Sequence, residues 1–298
     1  MDLETFTIAV YCLMDDLLHE LADDPDWRRV RHRGPAPVRA DGEVLTMEVV
    51  GEFLGLDQDV AIYQYFRREH PEFFPALRRI PRTTFARQAA NLWVVKEQLW
   101  QRLRDRLPHD RALSMVDSVP VPVCRFGRSR RCSRFRGEAA YGYDQGSKTF
   151  FYGFRWHLRA AWPGVVAALQ VAPANASDLA LAPEVLEGAT GQVLGDRNYW
   201  HPLLREQVAP AGIDFCAPYR KRSQDPDPVG STRLTRVRWR IETVAAQFVE
   251  RFHLKRLWAR DAWHLTSRML RTVLSHTRAV FLCLERGEAP LSFAQLLA

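Results

Sequence analysis

Five cysteines are spread over the 298 residues (Cys12, Cys124, Cys132, Cys216 and Cys283), and no two form a CxxC pair. Zinc-ribbon and thioredoxin-type chemistry are thereby excluded, and an odd, scattered set fits reduced thiols better than a disulfide framework. Long apolar runs are missing too. The most apolar C-terminal stretch, from Val273 to Leu284, is interrupted by His276 and Arg278 and is too short and too polar for a membrane span. The N-terminal MDLETFTIAVYCLMDDLL is acidic ahead of its apolar residues and lacks a basic leading region, so it does not read as a secretory signal. There is no Gly-rich phosphate loop, no Ser–His–Asp set, no internal repeat and no low-complexity tract. The expected location is the cytoplasm.

What is present is positive charge, and it is clustered. Lys and Arg number 42 against 35 Asp and Glu, a formal charge of +7. The excess is modest, so its distribution carries the meaning. In CRFGRSRRCSRFRG, Arg125, Arg128, Arg130, Arg131, Arg134 and Arg136 crowd together with Phe126 and Phe135 between them, and no acid appears before Glu138. A segment of this kind can follow a phosphate backbone and stack on bases, which makes nucleic acid the expected partner. Arg28, Arg29, Arg31 and Arg33 form a second, less specific patch, and Lys221 with Arg222 a third.

The chain changes character near Pro108. Before it, apolar residues recur at helical spacing: Phe6, Val10, Leu13, Leu17 and Leu21 share one face. Further helices are predicted in EVLTMEVVGEFLG, DVAIYQYFRREH and TTFARQAANLWVVKEQLWQRLRDRL. After it come short β-rich runs, SMVDSVPVPV, KTFFYGFRWHLRAAW, GVVAALQVAPA, GQVLGDRN and IDFCAPY, with a capped helical stretch NASDLALAPEVLEG among them. STRLTRVRWRIETVAAQFVERF and AWHLTSRMLRTVLSHTRAVFLCLERG return to helix. The expected fold class is α/β, a mixed sheet flanked by helices behind an all-α N-terminal domain. The expected domains are residues 1–110, helical and DNA-binding, and residues 111–298, catalytic and including the C-terminal helices.

Three acids stand where a carboxylate is awkward for structure alone. Asp117 and Asp196 each end an apolar run that reads as a buried strand, and Glu242 lies at the border of a helical stripe of Ile241, Val244, Ala245, Phe248 and Phe252. Carboxylates gathered from distant positions can hold Mg²⁺ against a phosphodiester. Arg238 falls one turn before Glu242, placed to grip a phosphate or orient the carboxylate. Taken singly, such acids are more often caps or exposed ion-pair partners. His157 reads equally well as a structural histidine, Asn198 and Tyr199 as turn builders, and Trp239 as a packing aromatic.

At these residues the chain resembles a DDE-type bacterial insertion-sequence transposase, most closely the insertion sequence 982 family. EVLTMEVVGEFLG, YQYFRREHPEFFP, VDSVPVPVC, YGFRWHL, GDRNYW and RWRIETVAAQF carry the resemblance along most of the chain. It implies a ribonuclease H-like catalytic core, with Asp117, Asp196 and Glu242 as a metal-binding triad for two Mg²⁺ ions, which Mn²⁺ can replace. It further implies cleavage at the terminal inverted repeats of a mobile element, joining of the freed 3′-hydroxyls to target DNA, a homodimer on DNA and a place in the nucleoid. Related enzymes carry Tyr-x₂-Arg-x₃-Glu-x₆-Lys on the last catalytic helix; here Thr235 and Val249 replace the Tyr and the Lys, and Lys255 and Arg256 follow as substitutes. Two alternatives stand beside this reading: a nuclease of the same fold that cuts without joining, and a catalytically silent DNA-binding regulator.

Overall fold

The computed structural model describes residues 1–25, 27, 40–219 and 221–297. The basic patch of Arg28, Arg29, Arg31 and Arg33 lies outside the described residues. Two compact units form: Met1–Arg106 together with Glu250–Ala298, and Leu107–Val249. Among the described residues no helix is long and apolar enough to cross a membrane, and all five cysteines are free thiols.

The first unit is helical. Helix α1 (Leu3–Ala22) starts at an Asp2 cap, whose carboxylate accepts the Thr5 amide at 2.8 Å, and buries Phe6, Val10, Leu13, Leu17 and Leu21 as the spacing predicts. Helices α2 (Asp41–Phe53) and α3 (Asp59–Glu69) also fall where expected. The long stretch beyond Pro81 departs from the single helix expected there. It breaks at Leu92 into α4 (Arg82–Asn91) and α5 (Trp93–Arg106). The apolar pattern runs on across Leu92 and Trp93 with no Gly or Pro to mark the break.

The C-terminal helix (Ala262–Glu285) packs with α2, α4 and α5, so the compact units do not follow the expected division at residues 110 and 111. The reason is polar as well as apolar. Arg271 is fully buried and bonds Glu52 Oε2 at 2.6 Å and Asp59 Oδ1 at 2.8 Å. Ser267 Oγ accepts from Lys96 Nζ at 2.8 Å, and that ammonium also meets Glu48 at 2.7 Å. Without Arg271 of this helix, Glu52 of α2 and Asp59 of α3 would lose their fully buried cationic partner, a loss that usually costs about 3–5 kcal/mol.

The second unit is a mixed sheet between helices. Its strands are β1 (Asp110–Pro122), β2 (Ala140–Asp144), β3 (Thr149–Trp162), β4 (Val165–Pro173), β5 (Gly191–Leu194) and β6 (Ile213–Cys216). Its helices are α6 (Asp178–Val185), α7 (Pro202–Val208) and α8 (Pro228–Ala246). The strand order is β2-β3-β1-β5-β6, with β4 on the same side of β3 as β2. β3 is antiparallel to β1, β2 and β4, while β1, β5 and β6 run parallel. This is the ribonuclease H-like α/β architecture expected from the sequence, with β2 and α7 as elements the periodicity did not show.

Alternation along the central strands assigns side chains to the two faces. Val116 and Val193 join α6, α7, Tyr199 and Phe215 in one core cluster. Met115 and Leu194, their neighbours in sequence, point the other way and pack with Ala160 and Ile241 of α8. Asp117 lies two residues beyond Met115, so it shares the face that α8 covers.

Candidate active site

Register brings the first two acids together. β5 pairs with β1 only as far as Leu194 opposite Met115. Two residues further on each strand stand Asp117 and Asp196, just past the carboxyl end of β5. Asp117 is therefore not at a strand end as expected, for β1 continues to Pro122 against β3. Pro120 and Pro122 follow the point where β5 has stopped, where one edge of β1 needs no backbone donor. Gly195 gives β5 its close exit: a Cβ there would stand 2.7 Å from the Phe215 ring and 3.0 Å from Tyr199 Cβ.

Both carboxylates are held by local backbone. Asp117 Oδ1 accepts the Ser118 amide at 2.8 Å. Asp196 caps the turn Arg197–Tyr199, accepting the Asn198 and Tyr199 amides at 2.9 and 3.3 Å and the Asn198 side-chain amide at 3.0 Å. Asn198 thus builds the turn. Tyr199 is buried, and its hydroxyl lies 3.5 Å from His157 Nδ1.

Helix α8 supplies the nearest cation. It begins at Asp227, whose side chain accepts the Gly230 amide, with Pro228 at its first position. Arg238 is only 8 % exposed, and a terminal guanidinium nitrogen stands 3.9 Å from Asp117 Oδ2. That is ion-pair distance without a hydrogen bond. The position favours orienting the carboxylates over gripping a phosphate.

Sequence reasoning missed Asp178, the first residue of α6. It read as an ordinary first-turn acid behind the Ser177 cap, and only the fold carries it to the aspartate pair. Its carboxylate lies 3.5 Å from His157 Nδ1. His157 is wholly buried, and burial lowers its pKa despite the pull of Asp178, so it is a neutral structural histidine.

The electrostatics follow from this census. Burial pushes the Asp117 carboxyl up to about 6; Asp196 and Asp178 push the same way, while Arg238 and the Ser118 amide oppose them. Burial raises Asp196 too, with Arg238 opposing and Asp178 reinforcing. Burial and the same negative field hold the Tyr199 hydroxyl well above its ordinary range. Among the described residues, Arg238 is the arginine that opposes the rise at both Asp117 and Asp196.

Glu242 stands one turn beyond Arg238 on α8, exposed, and takes no hydrogen bond or ion pair among the described residues. Among those residues no group of three or more His, Cys, Asp or Glu is arranged to hold a metal ion. The structure thus brings Asp117 and Asp196 together with Arg238 and Asp178, and leaves Glu242 pointing outward nearby.

A sequence family describes this unit. The transposase DDE domain family matches residues 108–257, about half of the chain. The chain belongs to the DDE transposase domain family. Transposases act on DNA, and DDE enzymes generally use divalent metal ions. No curated protein and no solved structure matches the chain. The match takes in β1 with Asp117, β5 with Asp196 and all of α8.

The other expected DNA contacts fall in three places. Arg125, Arg128, Arg130, Arg131, Arg134 and Arg136 are all exposed, on a short turn Phe126–Arg131 and the loop beyond it. Phe126 is exposed beside them, whereas Phe135 is buried against Phe154. Lys255 and Arg256 sit on the turn Leu254–Arg256 of the helical unit. Trp239 is half exposed, with the Arg240 guanidinium 4.1 Å from its ring centre and 4.9 Å from that of Trp162.

Proposed function

We propose that the chain is a transposase that cuts the terminal inverted repeats of an insertion sequence, of the insertion sequence 982 type, and joins the freed 3′-hydroxyls to target DNA. The observation that carries this reading is the pair Asp117 and Asp196 at the carboxyl end of β5, inside a DDE domain and short of positive charge. Residues 1–110 would hold the element end, and two protomers would act as a homodimer on paired ends. Such a protein would reside in the nucleoid.

The donor set fits hard divalent cations. It offers only carboxylate oxygens, and the surplus negative charge at Asp117 and Asp196 is what a bound cation relieves. Glu242 is assigned as the third ligand. It is one helical turn, about 6 Å along the axis, from an arginine that already reaches Asp117, and a glutamate side chain spans much of that distance by rotation. When bound, two Mg²⁺ ions (or Mn²⁺) supply activation of the attacking oxygen and stabilisation of the leaving oxygen. Arg238 keeps Asp117 oriented from the covered side, Asn198 fixes Asp196, and Asp178 with His157 and Tyr199 walls the floor of the site.

The test is incubation of the protein with terminal-repeat DNA and Mg²⁺, scoring cleavage and strand transfer separately. Wild type should do both, and Asp117→Asn, Asp196→Asn and Glu242→Gln should do neither while still binding the DNA. Cleavage without joining would favour the nuclease reading, and binding without cleavage the regulator. Glu242→Gln with full activity would remove Glu242 from the triad while leaving the aspartate pair.

A further inference from the structure

The β2–β3 hairpin carries an aromatic face that the catalytic reading does not use. Cross-strand register sets Tyr141 opposite Tyr152 and Tyr143 opposite Phe150, all on one side of the hairpin. Their ring centres lie 5.1 and 5.0 Å apart within each pair. Phe126 reaches over from the arginine-rich turn, 6.3 Å from both the Tyr141 and the Phe150 ring. Phe126 and Tyr141 are each 49 % exposed and Phe150 61 %.

The rings cannot turn inward. On the opposite face, a Cβ at Gly142 would stand 2.8 Å from the Ala174 carbonyl, and one at Gly153 would stand 2.2 Å from that of Val121. A one-residue slip would drive side chains into those contacts, so the register, and with it the outward aromatic face, is fixed. Exposed rings of this size in contact with one another call for an occupant.

The surroundings say which. Six exposed arginines border the patch between Arg125 and Arg136, with no acid among them. Positive charge selects a polyanion, and clustered π-faces select bases. In duplex DNA the base faces are covered by their neighbours, so rings standing on a sheet face can stack only on unpaired bases.

We propose that Phe126, Tyr141 and Phe150, rimmed by Arg125–Arg136, form a binding platform for single-stranded DNA. It rests on the reading that the chain acts on DNA, and assigns this surface to a strand whose bases are unpaired, such as one freed by end cleavage. The strand's phosphates run along the arginines, and its bases lie on the three rings. The platform is separate from the carboxylate pair and needs no metal ion.

The experiment measures anisotropy of a labelled oligothymidylate and of a labelled duplex of equal length, at fixed salt and without divalent ions. The full-length triple variant Phe126→Leu, Tyr141→Leu, Phe150→Leu keeps apolar bulk but removes the π-faces. It should bind the single strand at least about tenfold more weakly and the duplex within about twofold of wild type. Phe150→Trp, a conservative change, should hold or tighten single-strand binding, and thermal melting checks that each variant is folded. Equal losses on both DNAs, or no loss on either, would overturn the platform. So would a variant that loses self-association in sedimentation while binding DNA as before, since the patch would then join copies of the chain. Asp117→Asn should bind the single strand as wild type does. A cleaving Asp117→Asn sinks the catalytic reading alone, and an unaffected triple variant sinks this one alone.

Discussion

The two units differ in how closely their buried charges are partnered. In the helical unit, Glu48, Glu52 and Asp59 face Lys96, Arg268 and Arg271 at 2.6 to 2.9 Å, and Thr272 and Ser267 add further bonds. Burial still raises the Glu48 and Glu52 carboxyls, while Arg271 and Arg268 together hold Asp59 well below its ordinary range. In the sheet unit, Arg238 stands 3.9 Å from Asp117, and the Asp117 carboxyl goes up to about 6, with Asp196 and Asp178 adding to the negative field. Matched buried charge is architecture. Sparsely paired buried charge, retained at a cost in stability, is the pattern expected of a functional site.

Five substitutions would break or sharpen that contrast, and the largest effect is expected in the closely paired cluster. Arg271→Met leaves Glu52 and Asp59 without their main partner, and should cost about 3–5 kcal/mol in urea unfolding at neutral pH. A loss under about 1 kcal/mol would mean the cluster relaxes around the gap and is not architectural. Next comes Asp196→Asn, which should lower DNA cleavage beyond the roughly 10–100-fold that a supporting residue is worth, with the fold intact by circular dichroism. Asp178→Asn should fall inside that supporting range, since Asp178 acts through His157 and through the field at Asp117.

A smaller effect concerns the cost of ionising Asp117. The Asp117 carboxyl is raised from an ordinary value near 3.8, so ionising it costs more in the folded state than in the unfolded one. That cost is absent below pH 3.8, grows as pH rises, and is complete above about 6. Asp117→Asn should therefore stabilise the protein by about 3 kcal/mol at pH 8 and by almost nothing at pH 3.5, while abolishing cleavage. A stability loss at pH 8 would show that Asp117 is paired well enough to be structural. The exposed Arg205–Asp214 pair, 3.4 Å apart, supplies the baseline: Arg205→Ala should change stability by less than about 1 kcal/mol.

How much of this was legible in the sequence depended on distance along the chain. Strands β1, β3, β4, β5 and β6 and the α1 stripe are periodic over a few residues, and that period can be read directly. β2 was hidden because Tyr141–Asp144 follows an arginine-rich stretch that looks like loop, and its cross-strand partners are on β3. The packing of the C-terminal helix with α2 and α5 was not readable, because Ser267 and Arg271 find their partners more than 170 residues away. The nearness of Asp117 to Asp196 could be argued from strand ends. That Asp178 would join them could not, since nothing in its local spacing differs from an ordinary cap region.

The five-residue π turn Gln247–Arg251 that ends α8 bears on how this chain should be matched to its relatives. A regular helix returns to the same face after seven residues, which is why a Lys would be sought at position 249, seven beyond Glu242. A π turn takes up one residue more than an α turn, so that count no longer preserves the face once Gln247 is passed. The position equivalent to a Lys seven residues beyond Glu242 then shifts from Val249 to Glu250, so no basic residue fills it in either frame. An alignment of this helix should open a single gap after Ala246, and the absence of the lysine should be judged only against the shifted frame.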